Sequence, residues 1–212
     1  MRKLGGRALL RCSVAHPTGD EFRLTGTVTH HHYFSCVKLI HYDHDGRARF
    51  VTFATRDFLP VLSNPIFRDL VTESMVEVCA QFRVTILAYV IMPEHVHLVL
   101  VPPVDVRLGN VVGEIKRISA KRIHSALPNN CDLLRRLVAV RDGQCRFALW
   151  QKRCYDHNCR TEAEVWQKVE YCHFNPVRRG LVRAPQDWRW SSCTWYATDE
   201  RVGETRKYKP DK

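Results

Sequence analysis

The stretch VTILAYVIMPEHVHLVLV, residues 84–101, decides how this chain folds. Two apolar, β-rich runs, Val84 to Ile91 and His95 to Val101, flank the polar break Met92-Pro93-Glu94. Runs of that length bounded by a turn read as strands, and a proline is tolerated at a bend where it would break a ladder. The segment therefore predicts a β-hairpin. Pro93, Glu94, His95 and His97 interrupt it too often for a membrane span. Strand side chains alternate faces, so His95 and His97 share one side while Val96 points into the core.

Outward from the hairpin, the same reasoning places the neighbours. Upstream, Arg49 to Thr55 reads as a strand, and Asn64-Pro65 as a turn. Ile66, Phe67, Leu70, Val71, Val78 and Phe82 then recur at helical spacing, predicting a helix to about Phe82. Downstream, a second helix runs from Leu108 to Ala126. Pro128, Asn129, Asn130 and Asp142-Gly143 are turn signals, and Arg146 to Trp150 reads as a further strand. Thr161-Glu162-Ala163-Glu164 has the pattern of a capping box opening a third helix. Pro176 predicts its end near Asn175. The order strand, helix, strand, strand, helix, strand, helix predicts an α+β fold, an antiparallel sheet with helices packed on it. The expected division is an N-terminal extension of unclear structure (1–47), one domain (48–196) and a polar, disordered tail (197–212). The extension carries His30-His31-His32 and the polar stretch Asp43 to Asp45 without clear periodicity.

Thirty-three Lys and Arg against 22 Asp and Glu give a formal charge of +11, which suits a polyanionic partner, nucleic acid first. No apolar core and cleavage site follow the basic start, so no signal peptide is expected. Nine cysteines without Cys-x-x-Cys spacing read as reduced thiols of the cytosol.

Two residue pairs carry chemistry. Two imidazoles on one strand face can hold a divalent metal. By spacing alone, His95 and His97 fit a half-buried structural pair equally well. Tyr171 and Asn175, four apart on the third helix, share a face. An amide oxygen suits a hard ion, and a tyrosine beside that ion can be a nucleophile. By spacing alone, a core tyrosine and a helix-ending asparagine fit better.

Several motifs in order tip the balance. YVIMPEHVHLVL (89–100) resembles the histidine–hydrophobic–histidine (HUH) segment of single-tyrosine transposases of insertion sequences. EYCHFNPVRRGLV (170–182) resembles their tyrosine helix and following turn. WQKRCYDH (150–157) and WRWSS (188–192) resemble segments of the REP-associated tyrosine transposases, the subgroup this chain resembles most. The resemblance runs from about Phe50 to Tyr196.

It implies a ferredoxin-like antiparallel sheet, the HUH endonuclease fold. It implies Tyr171 as nucleophile, and His95, His97 and Asn175 as ligands of Mg²⁺ or Mn²⁺. It implies a transposase that cleaves and rejoins single-stranded, hairpin-bearing DNA through a 5′-phosphotyrosine. The expected setting is the bacterial cytoplasm, on the nucleoid, with a homodimer among the assemblies such proteins form. Cys172 departs from the family's usual isoleucine and suggests oxidation sensitivity in the helix. Lys116, Arg117, Lys121 and Arg122 on one helix, and Arg178 and Arg179 after the tyrosine, are candidate phosphate contacts. Trp150, Trp188 and Trp190 are candidate base platforms, with at least two expected in the core. His157 is a weaker candidate for supporting the site. Two other readings remain: a domesticated DNA-binding regulator on the same fold, and a metal-dependent phosphodiesterase using water, which would want more carboxylates than Glu94.

Overall fold

The computed structural model describes residues 45–128, 131–141 and 143–197. The triple histidine 30–32, most of the N-terminal extension, Asn129, Asn130, Asp142 and the tail from 198 lie outside the described residues. In chain order the elements are β1 (Arg49–Ala54), α1 (Pro65–Gln81), β2 (Thr85–Ile91), β3 (His95–Val101), α2 (Leu108–Ala126), α3 (Asp132–Arg136), β4 (Val138–Arg141), β5 (Gln144–Phe147), β6 (Tyr155–Asn158), α4 (Glu162–Arg178) and α5 (Cys193–Ala197).

β2 and β3 form the hairpin that the quoted stretch predicts. β1 inserts beside β3, and β6 closes the far edge, giving an antiparallel sheet in the order β2-β3-β1-β6. This is the expected ferredoxin-like arrangement. Alternation splits the core into two layers. Val51, Phe53, Ile86, Ile91, Val96, Leu98 and Leu100 face α1 and α2. Phe50, Ala88, Val90 and Val99 face α4 with its Val165, Val169 and Cys172. A bulge between Ile86 and Ala88 lets Leu87 join the α4 side. Leu98 is fully buried, and Leu98→Ala would cost about 2–5 kcal/mol.

The helices begin where side chains supply caps. Asn64 Oδ1 accepts from Ile66 N at 3.0 Å, with Pro65 at the first helical position. Thr161 Oγ1 accepts from Glu164 N at 3.2 Å, but Glu164 reaches past it to Arg160 N at 2.8 Å, so the box closes one residue early. The tip of the hairpin is pinned from β1: Thr55 N and Oγ1 both donate to Glu94 O, at 2.8 and 2.9 Å.

Three expectations are corrected. Pro176 does not end α4, which runs on to Arg178. The proline forfeits one hydrogen bond, and the ladder resumes with Arg179 N to Asn175 O at 3.1 Å. The stop is Gly180, at φ 66°, with Gly180 N bonding Val177 O and Leu181 N bonding Pro176 O. Second, the strand near Arg146 to Trp150 sits earlier, as β5, and pairs with β4 in a separate hairpin. Third, the fourth strand of the main sheet is β6, whose polar sequence YDHN hides it from a hydrophobicity reading.

The tryptophans are structural. Trp150 and Trp188 are buried, donating to Ser119 Oγ and Ile91 O, each at 3.0 Å. Trp190 donates to Asp69 Oδ1 at 2.9 Å, and the Arg68 guanidinium lies 3.6 Å over its ring. Among the described residues no helix is long and apolar enough to cross a membrane.

Candidate active site

His95 and His97 stand on the α4 face of β3, with Val96 fully buried on the other. Their Nε2 atoms are 3.0 Å apart. Each outer nitrogen has an oxygen partner. His95 Nδ1 faces Glu94 Oε1 at 3.1 Å, and His97 Nδ1 faces Thr52 Oγ1 at 2.7 Å, from the residue opposite it on β1. With Nδ1 protonated on both rings, the two Nε2 lone pairs converge. Burial first, then the His95 and Lys168 charges, hold His97 well below its usual range, so its imidazole stays neutral.

Two nitrogens at about 2.1 Å from one ion, at a right angle, stand about 3.0 Å apart, so the pair fits one small divalent metal. Among the described residues no group of three His, Cys, Asp or Glu side chains could complete such a site. Among the described residues, further donors would be of another kind, such as the Asn175 amide, with water or the substrate's own oxygens beside it.

α4 brings Tyr171 against this pair. Its ring centroid lies 5.1 Å from that of His97 and 5.8 Å from that of Phe50, edge-on in both cases. Phe50 stacks on His97 at 5.3 Å. One turn on, the buried Asn175 side chain lies on the same face of α4 and favours the ionised form of the Tyr171 hydroxyl. Burial pushes the phenol above its usual range, and neighbouring Cys172 adds to this. Arg178, Asn175 and Arg179 pull the other way without cancelling it. The Arg178 guanidinium sits 5.3 Å over the tyrosine ring. Arg179 donates to Glu94 Oε1 at 2.7 Å. The structure thus brings together all four residues named from the two pairs, along with both arginines that follow the tyrosine.

The α2 cluster is elsewhere, because α2 packs on the opposite face of the sheet. Its members also differ from one another. Lys116 is turned inward, donating to Gln151 O at 3.0 Å and Arg153 O at 3.2 Å, and burial lowers its pKa. Arg117 is held bidentately by Glu114, and Arg122 bonds Glu77 and Ser74. Lys121 is exposed. His157 lies on the α4 face opposite Phe50, 3.8 Å from Glu164.

Oxidation sensitivity at Cys172 is corrected: the side chain is fully buried, and burial drives the thiol far above the range in which it ionises. Thr52, Phe50 and Lys168 escaped the sequence reading, since only strand pairing and the docking of α4 bring them to the histidines.

Comparison with known proteins adds independent findings. Residues 50–137 match the family described as IS200-like transposase. A Haemophilus influenzae chain assigned to the REP-associated tyrosine transposases is 26% identical over 117 residues, covering 55% of this chain and 62% of its own length. The REP-associated tyrosine transposase of Escherichia coli K12 is 26% identical over 106 residues, covering 50% and 52%. This chain therefore spans only about half to six-tenths of those relatives. A solved structure of a REP-associated tyrosine transposase bound to a REP hairpin superposes with a TM-score of 0.60 at 20% identity, covering 83% of this chain and 97% of that one. At that identity the likeness speaks for the fold.

Proposed function

From the match of residues 50–137 to the family described as IS200-like transposase, we propose that the chain cuts and rejoins single-stranded DNA through Tyr171. The carrying observation is the contact of Tyr171, from α4, with His97, from β3, at 5.1 Å. A nucleophile and a converging nitrogen pair meet although they lie far apart in the chain.

His95 and His97, with Asn175 one turn beyond the tyrosine, are the residues that would hold Mg²⁺ or Mn²⁺. Such an ion would supply Lewis-acid polarisation of the phosphate and offset the charge that develops during displacement. The protein's own groups do the rest. Glu94 and Thr52 orient the two imidazoles. Phe50 packs edge-on against the tyrosine ring, and Arg178, Asn175 and Arg179 favour its ionised form. The Tyr171 oxygen, losing its proton to solvent, forms a bond to phosphorus while the bond to the departing 3′-oxygen breaks. That oxygen takes up a proton, leaving a 3′-hydroxyl and a 5′-phosphotyrosine. Attack by another 3′-hydroxyl reverses the step and joins strands without a nucleotide cofactor.

The substrate class is single-stranded DNA bearing REP-like hairpins, which the solved relative's hairpin complex supports. Arg178 lies where it can hold phosphate near the tyrosine, and exposed Lys121, with Arg117, would meet a more distant part of the strand. Tyrosine and histidines of one chain meet, so a second copy is not needed to complete the site. The setting is the bacterial cytoplasm, on DNA.

The test is incubation of the protein with labelled hairpin oligonucleotides and Mn²⁺, read on a denaturing gel. A covalent band supports transfer. Cleavage without one points to a water-using nuclease, and binding with neither points to a regulator on the same fold.

A further inference from the structure

Phe50 contacts more than the catalytic pair. A third ring, Tyr155, meets it at 6.3 Å and 69°, and Lys168 Nζ stands 5.1 Å from its centroid. Phe50 is buried, whereas Tyr155 is 40% exposed. Tyr155 opens β6, the edge strand, and pairs with Thr52, which itself pairs with His97. Cross-strand partners share a face. His97, Thr52 and Tyr155 therefore form one row on the α4 side, the outer two about 10 Å apart.

Lys168 lies one turn before Tyr171 on the same stripe of α4. It is half-buried and has no acidic partner among the described residues. The Tyr155 hydroxyl likewise has no hydrogen-bond partner among the described residues. An open aromatic face and an unneutralised ammonium, both against the ring that backs the catalytic pair, match the two halves of a nucleotide: a base to stack and a phosphate to neutralise.

We infer that Tyr155 and Lys168 form a subsite for the nucleotide adjoining the scissile phosphate, the base lying on the Tyr155 ring and a backbone phosphate meeting Lys168 Nζ. This rests on the reading of the chain as a single-strand transferase. It makes β6 a positioning element: stacking tolerates any base, so the subsite would hold the strand in place beside Tyr171 rather than read its sequence.

The test uses the full chain with Mn²⁺ and hairpin oligonucleotides carrying single-stranded flanks, their cleavage position mapped from the wild-type product. In a Tyr171→Phe background, which keeps DNA intact, affinity is measured by fluorescence anisotropy for the intact strand. It is measured again for strands with one abasic nucleotide at each position around the mapped phosphate. Tyr155→Ala is expected to weaken binding of the intact strand about tenfold. That loss should vanish on the strand abasic at one position beside the scissile phosphate, and Tyr155→Phe should restore the coupling. Lys168→Gln should lower the slope of log affinity against log salt by about one. Equal losses on every strand, with an unchanged slope, would overturn the subsite while leaving the adduct chemistry standing. A wild-type protein that neither binds these strands nor forms an adduct would overturn the transferase reading, and the subsite with it.

Discussion

Arg179, just past the end of α4, donates to Glu94 at the tip of the β2–β3 hairpin, 2.7 Å from Nη1 to Oε1. The same oxygen lies 3.1 Å from His95 Nδ1. One carboxylate oxygen therefore orients a candidate metal ligand and ties down the helix that carries the proposed nucleophile. Burial works against its ionisation, but the His95 and Arg179 bonds outweigh it and hold Glu94 below the usual carboxylate range.

Removing that carboxylate should therefore act on the ion. Glu94→Ala is expected to weaken Mn²⁺ binding about ten- to a hundredfold, the usual effect of losing the outer partner of a ligating histidine. Arg179→Ala should do less, because the His95 contact survives. Titration of the DNA-free protein by Mn²⁺ electron paramagnetic resonance reads both, and equal affinity in Glu94→Ala and wild type would refute the role.

The second histidine has its own support in Thr52. Thr52→Val keeps the branched shape the strand favours but removes the oxygen facing His97 Nδ1. Mn²⁺ affinity should fall about tenfold, and Thr52→Ser should recover most of it. The same titration decides, with a thermal melt to show that the fold is intact.

At the proposed nucleophile, Tyr171→Phe keeps the ring against Phe50 and His97 and deletes only the hydroxyl. No covalent DNA adduct should form, while hairpin binding stays within about twofold of wild type, since little of a polyanion's affinity resides in one neutral hydroxyl. A residual adduct on a denaturing gel would mean that another residue attacks.

Lys116 divides from its neighbours on α2. Its two bonds to backbone carbonyls make it a tether between α2 and the segment after Trp150. Lys116→Met should lower stability by about 1–3 kcal/mol in urea unfolding. The salt slope of DNA binding should not change. A lower slope with unchanged stability would return Lys116 to the DNA interface.

The cysteines should differ sharply in reactivity with pH. Burial raises Cys159 to about 11, leaving about one thiolate in a thousand at pH 8. Cys172 is pushed further still. Cys145 is exposed. Iodoacetamide at pH 8, read by mass spectrometry, should label Cys145 and spare Cys159 and Cys172. Because their pKa values are raised, labelling of the buried pair should grow only as pH climbs toward those values. Alkylation of Cys172 as fast as Cys145 would contradict its burial.

The hairpin, α1, α2 and the start of α4 were legible because each writes its period or its cap into a few consecutive residues. His95 and His97 were legible for the same reason: a period of two places both on one face. β6 was not, since a four-residue polar strand earns its place through pairing with β1 rather than through burial. Pro176 misled because the proline signal is local, whereas the glycine cap that ends α4 at Gly180 lies beyond it. Thr52, Phe50 and Lys168 were invisible because their meaning depends on strand register and helix docking, which no short window of sequence contains.

The parts of the site are strung widely along the chain: Phe50 and Thr52 on β1, the histidines on β3, the tyrosine on α4. During synthesis the histidines leave the ribosome well before the tyrosine does. A product cut short before Glu162 would hold the nitrogen pair and the residues of α1 and α2, but neither Tyr171 nor Asn175. In the proposed reading, competence to break a strand would arrive together with the closing of the last layer, when α4 sets Tyr171 against His97.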